Sequence, residues 1–207
     1  LLQSEDALSC ACGIGDWVYG RLSATTKTQR TAMWKLYIAG EYGGINESLA
    51  ALYRVTGCTD YLVAAEMFNN PPLFEGLKHG RDPLSGIHAN QHIPQIIGAM
   101  EMFRATKERS YYHLAKNFWE IVVNRYMYSI GGVGRGENFR EADLLANHIE
   151  GGRNCETCAT YNMLKLTGML YQYAPEHSAY MDYYERALLN HIAASQNPAV
   201  KEGALHG

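Results

Sequence analysis

A repeated pattern of two helices joined by a short polar turn constrains the fold of this chain more than any other feature. The turn at positions 53–62 resembles the turn at positions 103–112, and a looser third copy lies at 171–180. Around each turn, apolar residues recur at the spacing of one helix face. Before the second turn these residues are Ile93, Ile96, Ile97 and Met100. No β-strand pattern is comparably strong, so the repeat predicts an all-α fold of stacked helical hairpins.

Two long loops favour a closed α/α toroid over an open solenoid. Residues 69–87 contain three prolines and three glycines, and residues 128–154 are rich in glycine. Loops of this length inside a compact domain usually serve a function. In a toroid they would gather at one rim and surround a central cleft, so we expect the functional site at that rim.

Charge and cysteine content narrow the classes of function. The chain has a formal net charge of -3 and no run of Lys or Arg, which argues against a nucleic-acid partner. No apolar run approaches the roughly 20 residues that span a bilayer, so we expect no membrane partner. The five cysteines are unevenly spread and do not form a disulfide framework. Reduced thiols favour the cytoplasm.

The segment from Cys155 to Cys158 places two thiols around Glu156, at the start of a helix predicted over 159–173. A structural zinc site would need a second ligand pair, and a thioredoxin-like pair would need a βαβ context that is absent. A mixed thiolate and carboxylate metal site is a third interpretation, because a helix N-terminus lowers the pKa of a thiol. The simplest alternative is a pair of buried structural cysteines.

Glu137 lies in the Gly-rich loop 131–139, upstream of this segment. Two carboxylates that flank a cleft are the usual arrangement in glycosidases, so Glu137 and Glu156 form a candidate acid/base pair. The alternative is that Glu137 is a solvated loop residue, since loops are mostly polar and exposed.

His88 and His92 are four residues apart, so both can lie on one side of a helix. They are candidates for metal ligation or for hydrogen bonds to a polar substrate. The alternative is a capping cluster in which Asn90 caps the helix. Asn46 and Glu47 precede another inner helix, and the sequence leaves open whether they cap it or point into the cleft.

Five segments together resemble glycoside hydrolase family 127 and its close relatives, the β-L-arabinofuranosidases. The segments are residues 39–47, 86–94, 129–132 with 136–139, 155–165 and 183–192. Their order and spacing extend over nearly the whole chain, from about Trp17 to Gln196. One such motif would be weak support, whereas five in order make the resemblance specific.

The resemblance implies an (α/α)6 barrel and a retaining hydrolase with a cysteine nucleophile on a bound zinc ion. It implies removal of β-L-arabinofuranosyl or related residues from plant-type glycans, so the expected partner is a carbohydrate. By position, Glu137 resembles the acid/base residue. Glu156 and Cys158 resemble zinc ligands, and Glu156 would also border the substrate. His88 and His92 resemble sugar-contacting histidines.

The sequence departs from the family in lacking the adjacent Cys-Cys pair that supplies the nucleophile and the last zinc ligand. Cys155 lies outside the zinc-binding motif. We therefore expect residues 1–207 to be part of a single α/α-barrel catalytic domain, without the C-terminal part of the barrel and the family's β-domains. Such a chain should be inactive alone and should self-associate through its unclosed barrel. The alternative is a non-catalytic α/α-toroid module that binds carbohydrate or protein, with Cys155 and Cys158 structural.

Overall fold

The computed structural model describes residues 4–36, 43–150 and 152–196, which contain helices and isolated β-bridges but no strand. The helices are α1 (Glu5–Ser23), α2 (Lys27–Met33), α3 (Ile45–Thr56), α4 (Thr59–Met67), α5 (Pro71–Lys78), α6 (Ala89–Thr106), α7 (Arg109–Arg125), α8 (Thr157–Tyr171) and α9 (Ala179–Ala187). A 3₁₀ turn at Leu145–His148 and a π-helical turn at Leu188–Ala193 follow α7 and α9 respectively. None of the described helices is long and apolar enough to cross a bilayer. The prediction of an all-α fold is confirmed.

The three predicted hairpins are α3 with α4, α6 with α7, and α8 with α9. Helices α3, α6 and α8 pack in a row with α6 in the middle, and the second helix of each hairpin packs against the first. The apolar face that the sequence predicts on α6 is completely buried: it consists of Ile93, Ile96, Ile97 and Met100. Helical periodicity therefore located the core of this chain correctly.

The same left-handed turn closes the first two hairpins. Gly57 has φ +74° and its N–H donates to the carbonyl of Tyr53, while Lys107 has φ +62° and its N–H donates to the carbonyl of Phe103. This conformation costs a residue with a Cβ about 1–2 kcal/mol, and glycine avoids that cost. The repeat is therefore encoded partly in turn geometry, with local strain at Lys107.

Helices α3 and α6 approach closely where Asn46 meets Gly98. Asn46 is fully buried and its Nδ2 donates to the carbonyl of Gln95 at 3.1 Å. A Cβ at Gly98 would lie only 1.8 Å from Asn46 Oδ1, so this contact needs glycine. Glu47 forms an ion pair with Lys165 of α8 at 2.6 Å. Both polar residues thus join inner helices; the neighbouring Glu41 lies outside the described residues.

Two boundaries differ from those expected from the sequence. The predicted loop 69–87 contains helix α5, because Pro71 and Pro72 occupy its first turn, where a missing N–H leaves no hydrogen bond unmade. Helix α8 begins at Thr157 and not at residue 159, so Cys158 lies inside its first turn. In the second loop, residues 128–150 and 152–154 are described, and the short 3₁₀ turn is their only helical segment.

Candidate active site

The loop before α6 and the loop between α7 and α8 meet at one end of the inner helices. Gly86 N–H donates to the carbonyl of Phe139 at 2.8 Å, and Phe139 N–H donates to the carbonyl of Ile87 at 2.9 Å. The Phe139 ring is fully buried and packs edge-on against Tyr126 and Phe118. This aromatic anchor fixes the Gly-rich loop against the start of α6.

Glu137 stands on this anchored loop with its side chain 53% exposed. Its backbone adopts φ +67°, which is unusual for a residue with a side chain. The conformation is held because the Glu137 carbonyl accepts a hydrogen bond from Ala89 N–H at 2.8 Å, at the N-terminus of α6. Strained residues of this kind concentrate at functional sites, where the surrounding structure enforces them.

His88 orients the Glu137 carboxylate, whose Oε2 lies 3.2 Å from His88 Nε2. His88 Nδ1 accepts the backbone N–H of Gln91 at 3.3 Å, so His88 caps α6 and the capping role considered for Asn90 is wrong. A neutral imidazole that accepts at Nδ1 carries its hydrogen on Nε2, where it donates to the carboxylate. The Asn90 side chain instead accepts a hydrogen bond from Asn162 of α8 at 2.8 Å.

His92 lies one helical turn further along and is half-buried. Its Nδ1–H donates to the carbonyl of His88 at 2.7 Å. Burial lowers the pKa of the His92 imidazole, and the hydrogen bond to His88 offsets part of that effect. The ring is therefore neutral at neutral pH, with Nε2 free of a proton and able to accept a hydrogen bond from a hydroxyl group.

Two backbone hydrogen bonds tie the loop of Glu137 to the cysteine segment. Cys155 N–H donates to the carbonyl of Gly134 at 3.0 Å, and Gly136 N–H donates to the carbonyl of Arg153 at 2.8 Å. The two stretches run antiparallel, with a bridge between Arg135 and Asn154. The Gly-rich loop that carries Glu137 and the segment from Cys155 to Cys158 are therefore held together by backbone hydrogen bonds.

Cys155 points into the protein interior. A Cβ at Gly132 would lie 2.5 Å from Cys155 Cβ and 2.9 Å from His191 Nδ1, so both side chains pack directly on this glycine. His191 belongs to the π-helical turn and bonds Thr160 Oγ1 at 2.8 Å. Burial raises the pKa of the Cys155 thiol to about 11, which keeps it protonated at neutral pH.

Glu156 and Cys158 face outward beside it. Cys158 Sγ lies 3.8 Å from Glu156 Oε2, and the Glu156 carboxylate is not used to cap α8. Partial burial raises the pKa of the Cys158 thiol, as does the adjacent carboxylate. A cation would stabilise both charged forms, and a thiolate with a carboxylate suits two of the four positions of a zinc ion. Within residues 4–36, 43–150 and 152–196, no three His, Cys, Asp or Glu side chains cluster closely enough to hold a metal ion.

The hairpins and their rim loops define an α/α-toroid protein with a carboxylate loop beside a thiol and carboxylate pair. The sequence model of the β-L-arabinofuranosidase family, GH127 catalytic domain, matches residues 1–203. The chain belongs to this family.

A solved structure of the GH127 β-arabinofuranosidase BT3674 has the same fold. It aligns with a TM-score of 0.55 and 24% sequence identity, and the match covers 69% of this chain. The match spans only 24% of the length of that chain. No curated protein matches this sequence significantly.

Sequence analysis did not assign a role to two groups of residues in this region. Thr160 and His191 form a hydrogen bond behind Gly132, and the sequence placed them only as members of the segments 155–165 and 183–192, without a role. The arginines of residues 128–154, Arg135 and Arg140 among them, are separated along the chain and form no motif.

Proposed function

We propose that this chain is a segment of a retaining glycoside hydrolase that removes β-L-arabinofuranosyl or related residues from plant-type glycans. One observation carries the proposal: His88 orients the exposed Glu137 carboxylate on a loop that is hydrogen-bonded to the segment of Glu156 and Cys158. Membership of the GH127 family supports the same class of reaction.

Glu137 is the acid/base residue in this proposal. It would give a proton to the leaving oxygen in the first step and take a proton from water in the second. The hydrogen bond from His88 Nε2 holds one carboxylate oxygen and leaves the other for the substrate. His92, neutral because it is buried, would accept a hydrogen bond from a sugar hydroxyl.

Glu156 and Cys158 would hold a zinc ion, with Glu156 also bordering the substrate. Zinc, when bound, keeps thiols in the thiolate form near neutral pH. The resemblance places the nucleophile in a Cys-Cys pair that these 207 residues do not contain. The proposal therefore includes that the 207-residue chain alone does not hydrolyse glycosides.

Cobalt binding tests the metal assignment in the chain as it stands. Cys10, Cys12 and Cys58 are first replaced by Ser, so that absorption from a cobalt–thiolate bond reports only on the remaining two thiols. We expect a weak band on titration with Co²⁺, lost in Cys158→Ser and kept in Cys155→Ser. Circular dichroism confirms that each variant is folded. A band that disappears with Cys155 and survives without Cys158 contradicts the assignment.

Hydrolysis tests the role of Glu137. The gene is sequenced beyond the codon for Gly207, and the protein encoded by the continued reading frame is expressed and assayed with β-L-arabinofuranosides. Glu137→Gln should lower kcat by about 10²–10⁴-fold with unchanged zinc content, since general acid–base catalysis contributes that much. Glu120→Gln, on the surface of α7, is the matched control. Equal loss of zinc in Glu137→Gln, or turnover by the 207-residue chain, would contradict the proposal.

Exposed apolar side chains support self-association as a further part of the proposal. A groove of about 400 Å³ lies between α1 and α3 and is lined mainly by apolar residues. Ile14 and Val55 on its walls are 62% and 69% exposed. Apolar surface of this kind favours association. Sedimentation velocity should show oligomers that dissociate in the double variant Ile14→Glu/Val55→Glu; a monomeric wild-type chain would refute this part.

A further inference from the structure

Three arginines line a groove beside Glu137 that the proposed acid/base step does not use. The groove has a volume of about 700 Å³. It is lined by Arg135, Gly136, Arg140, Glu141, His148, Gly152 and Arg153. Gly136 lines the groove and Glu137 follows it in the chain, so the groove lies beside the loop that carries the proposed acid/base residue.

Main-chain oxygens hold two of the guanidinium groups in place. Arg135 Nη2 donates to the carbonyl of Glu150 at 2.7 Å, and Arg140 Nε donates to the carbonyl of Arg135 at 3.0 Å. Neutral acceptors orient a guanidinium without cancelling its charge. Among the residues that the structure describes, the terminal nitrogens of Arg140 have no hydrogen-bond acceptor, which leaves them available to a ligand.

Negative charge in the groove is small. Glu141 is the carboxylate among the lining residues, and its Oε2 lies 2.5 Å from His148 Nε2. Among the residues that the structure describes, none of the three arginines forms a salt bridge with a carboxylate. Three positive charges thus converge in a chain whose formal net charge is -3.

The backbone fixes Arg153 opposite Gly136. Arg153 has φ +60°, a conformation that disfavours a residue with a side chain, and its carbonyl accepts Gly136 N–H at 2.8 Å. Such strain persists only where surrounding contacts enforce it and is concentrated at binding and catalytic sites. The side chain of Arg153, which carries the third guanidinium group, is therefore attached to a backbone whose conformation is already fixed.

We propose that this groove is an anion subsite, which binds a carboxylate or sulfate group on a sugar next to the glycosidic bond whose leaving oxygen Glu137 would protonate. The proposal rests on the glycosidase function above and specifies its substrate class as an acidic glycan. A guanidinium group can donate two parallel hydrogen bonds to two oxygens of one oxyanion, and charge-assisted bonds of this kind are stronger than neutral ones. A neutral arabinan would leave this cluster of charge without a partner.

Binding of defined oligosaccharides to the 207-residue chain tests the subsite without requiring turnover. The ligands are trigalacturonate, its neutral methyl ester, and a sulfated trisaccharide, titrated calorimetrically at about 0.02 M NaCl to limit screening. We expect at least one anionic ligand to bind tenfold or more tightly than the methyl ester. Preference for the uronate identifies a carboxylate as the natural group, and preference for the sulfated sugar identifies a sulfate ester.

Substitutions locate the binding site. Arg140→Gln and Arg153→Gln should each weaken the anionic ligand about tenfold, since a charged hydrogen bond contributes that much, and leave the neutral ligand unchanged. Arg109→Gln is the control, because Arg109 is exposed at the far end of α7, about 25 Å along that helix from its rim end. Circular dichroism checks the fold of each variant.

Three results would overturn the subsite: equal affinity for acid and ester, no binding of either anion, or an equal loss in Arg109→Gln. Hydrolysis separates this outcome from failure of the proposed function. Equal binding of acid and ester, together with hydrolysis by the continued reading frame, would refute the anion subsite and leave the glycosidase function standing. Clear preference for the acid without any hydrolysis would refute the glycosidase function and leave the anion subsite standing.

Discussion

Gly132→Ala should destabilise the chain by about 2–3 kcal/mol. The new Cβ would lie 2.5 Å from Cys155 Cβ, 2.8 Å from Cys155 Sγ and 2.9 Å from His191 Nδ1. Cys155 and His191 are only 8% and 7% exposed, so neither side chain can swing into solvent. Overpacking a tight interior typically costs about 1–3 kcal/mol, and three simultaneous short contacts place this site in the upper part of that range.

Gly168→Ala is the matched control, because it adds the same methyl group inside α8. Nothing lies within 4 Å of the added Cβ, so the change should stabilise the helix by about 0.5–1 kcal/mol. Urea unfolding followed by circular dichroism gives the free energy of unfolding of both variants. If Gly132→Ala stays within about 0.5 kcal/mol of the wild type, the packing argument is refuted.

A double variant identifies the clashing partner. Cys155 has φ +58°, a conformation that suits glycine. Cys155→Gly therefore removes the two short contacts that the new methyl group would make with Cys155 Cβ and Sγ, and it relieves backbone strain. Gly132→Ala/Cys155→Gly should therefore be more stable than the sum of the single changes by about 1 kcal/mol or more. Strict additivity would show that the added methyl group is accommodated without moving Cys155.

Three further predictions concern stability. Lys107→Gly should raise the free energy of unfolding in urea by about 0.5–1 kcal/mol, because glycine adopts φ +62° without strain; a decrease would contradict this. Glu101→Gln should lower it by about 1.5–3 kcal/mol, since the buried carboxylate lies 2.9 Å from Arg54 Nη1; no change in thermal unfolding would be the contrary result. Burial raises the pKa of the Cys155 thiol to about 11, so its stabilising contribution is complete below about pH 8.5 and is lost as the pH rises toward 11. Cys155→Ala should therefore lose less Tm over that interval, and identical alkaline losses would refute the assignment.

The three hairpins were predictable because their signals are local. Apolar residues recur with the period of a helix, and the polar turns interrupt them at fixed places. Helix α5 escapes prediction because Pro71 and Pro72 are typical of loops, although proline is also favoured in the first turn of a helix. His88 was not predicted as the cap of α6 because histidine is not among the residues preferred at that position, whereas asparagine is.

The candidate site also has a part that the sequence could predict and a part that it could not. The sequence identified Glu137, Glu156 and Cys158, since these residue types at these positions resemble family motifs. It could not predict that Cys155 turns inward while Cys158 turns outward. That difference depends on a positive φ at Cys155, which the Gly134 carbonyl and the packing of Gly132 enforce.

The sequence by itself determined the all-α hairpin architecture, the family and the residue types of the candidate site. Helix periodicity, turns and motifs are properties of neighbouring residues, so they can be read along the chain. Only the tertiary structure decided which side chains meet: His88 with Glu137, His191 with Thr160, and the three arginines in one groove. Those contacts depend on long-range backbone hydrogen bonds and close packing, which no local pattern encodes.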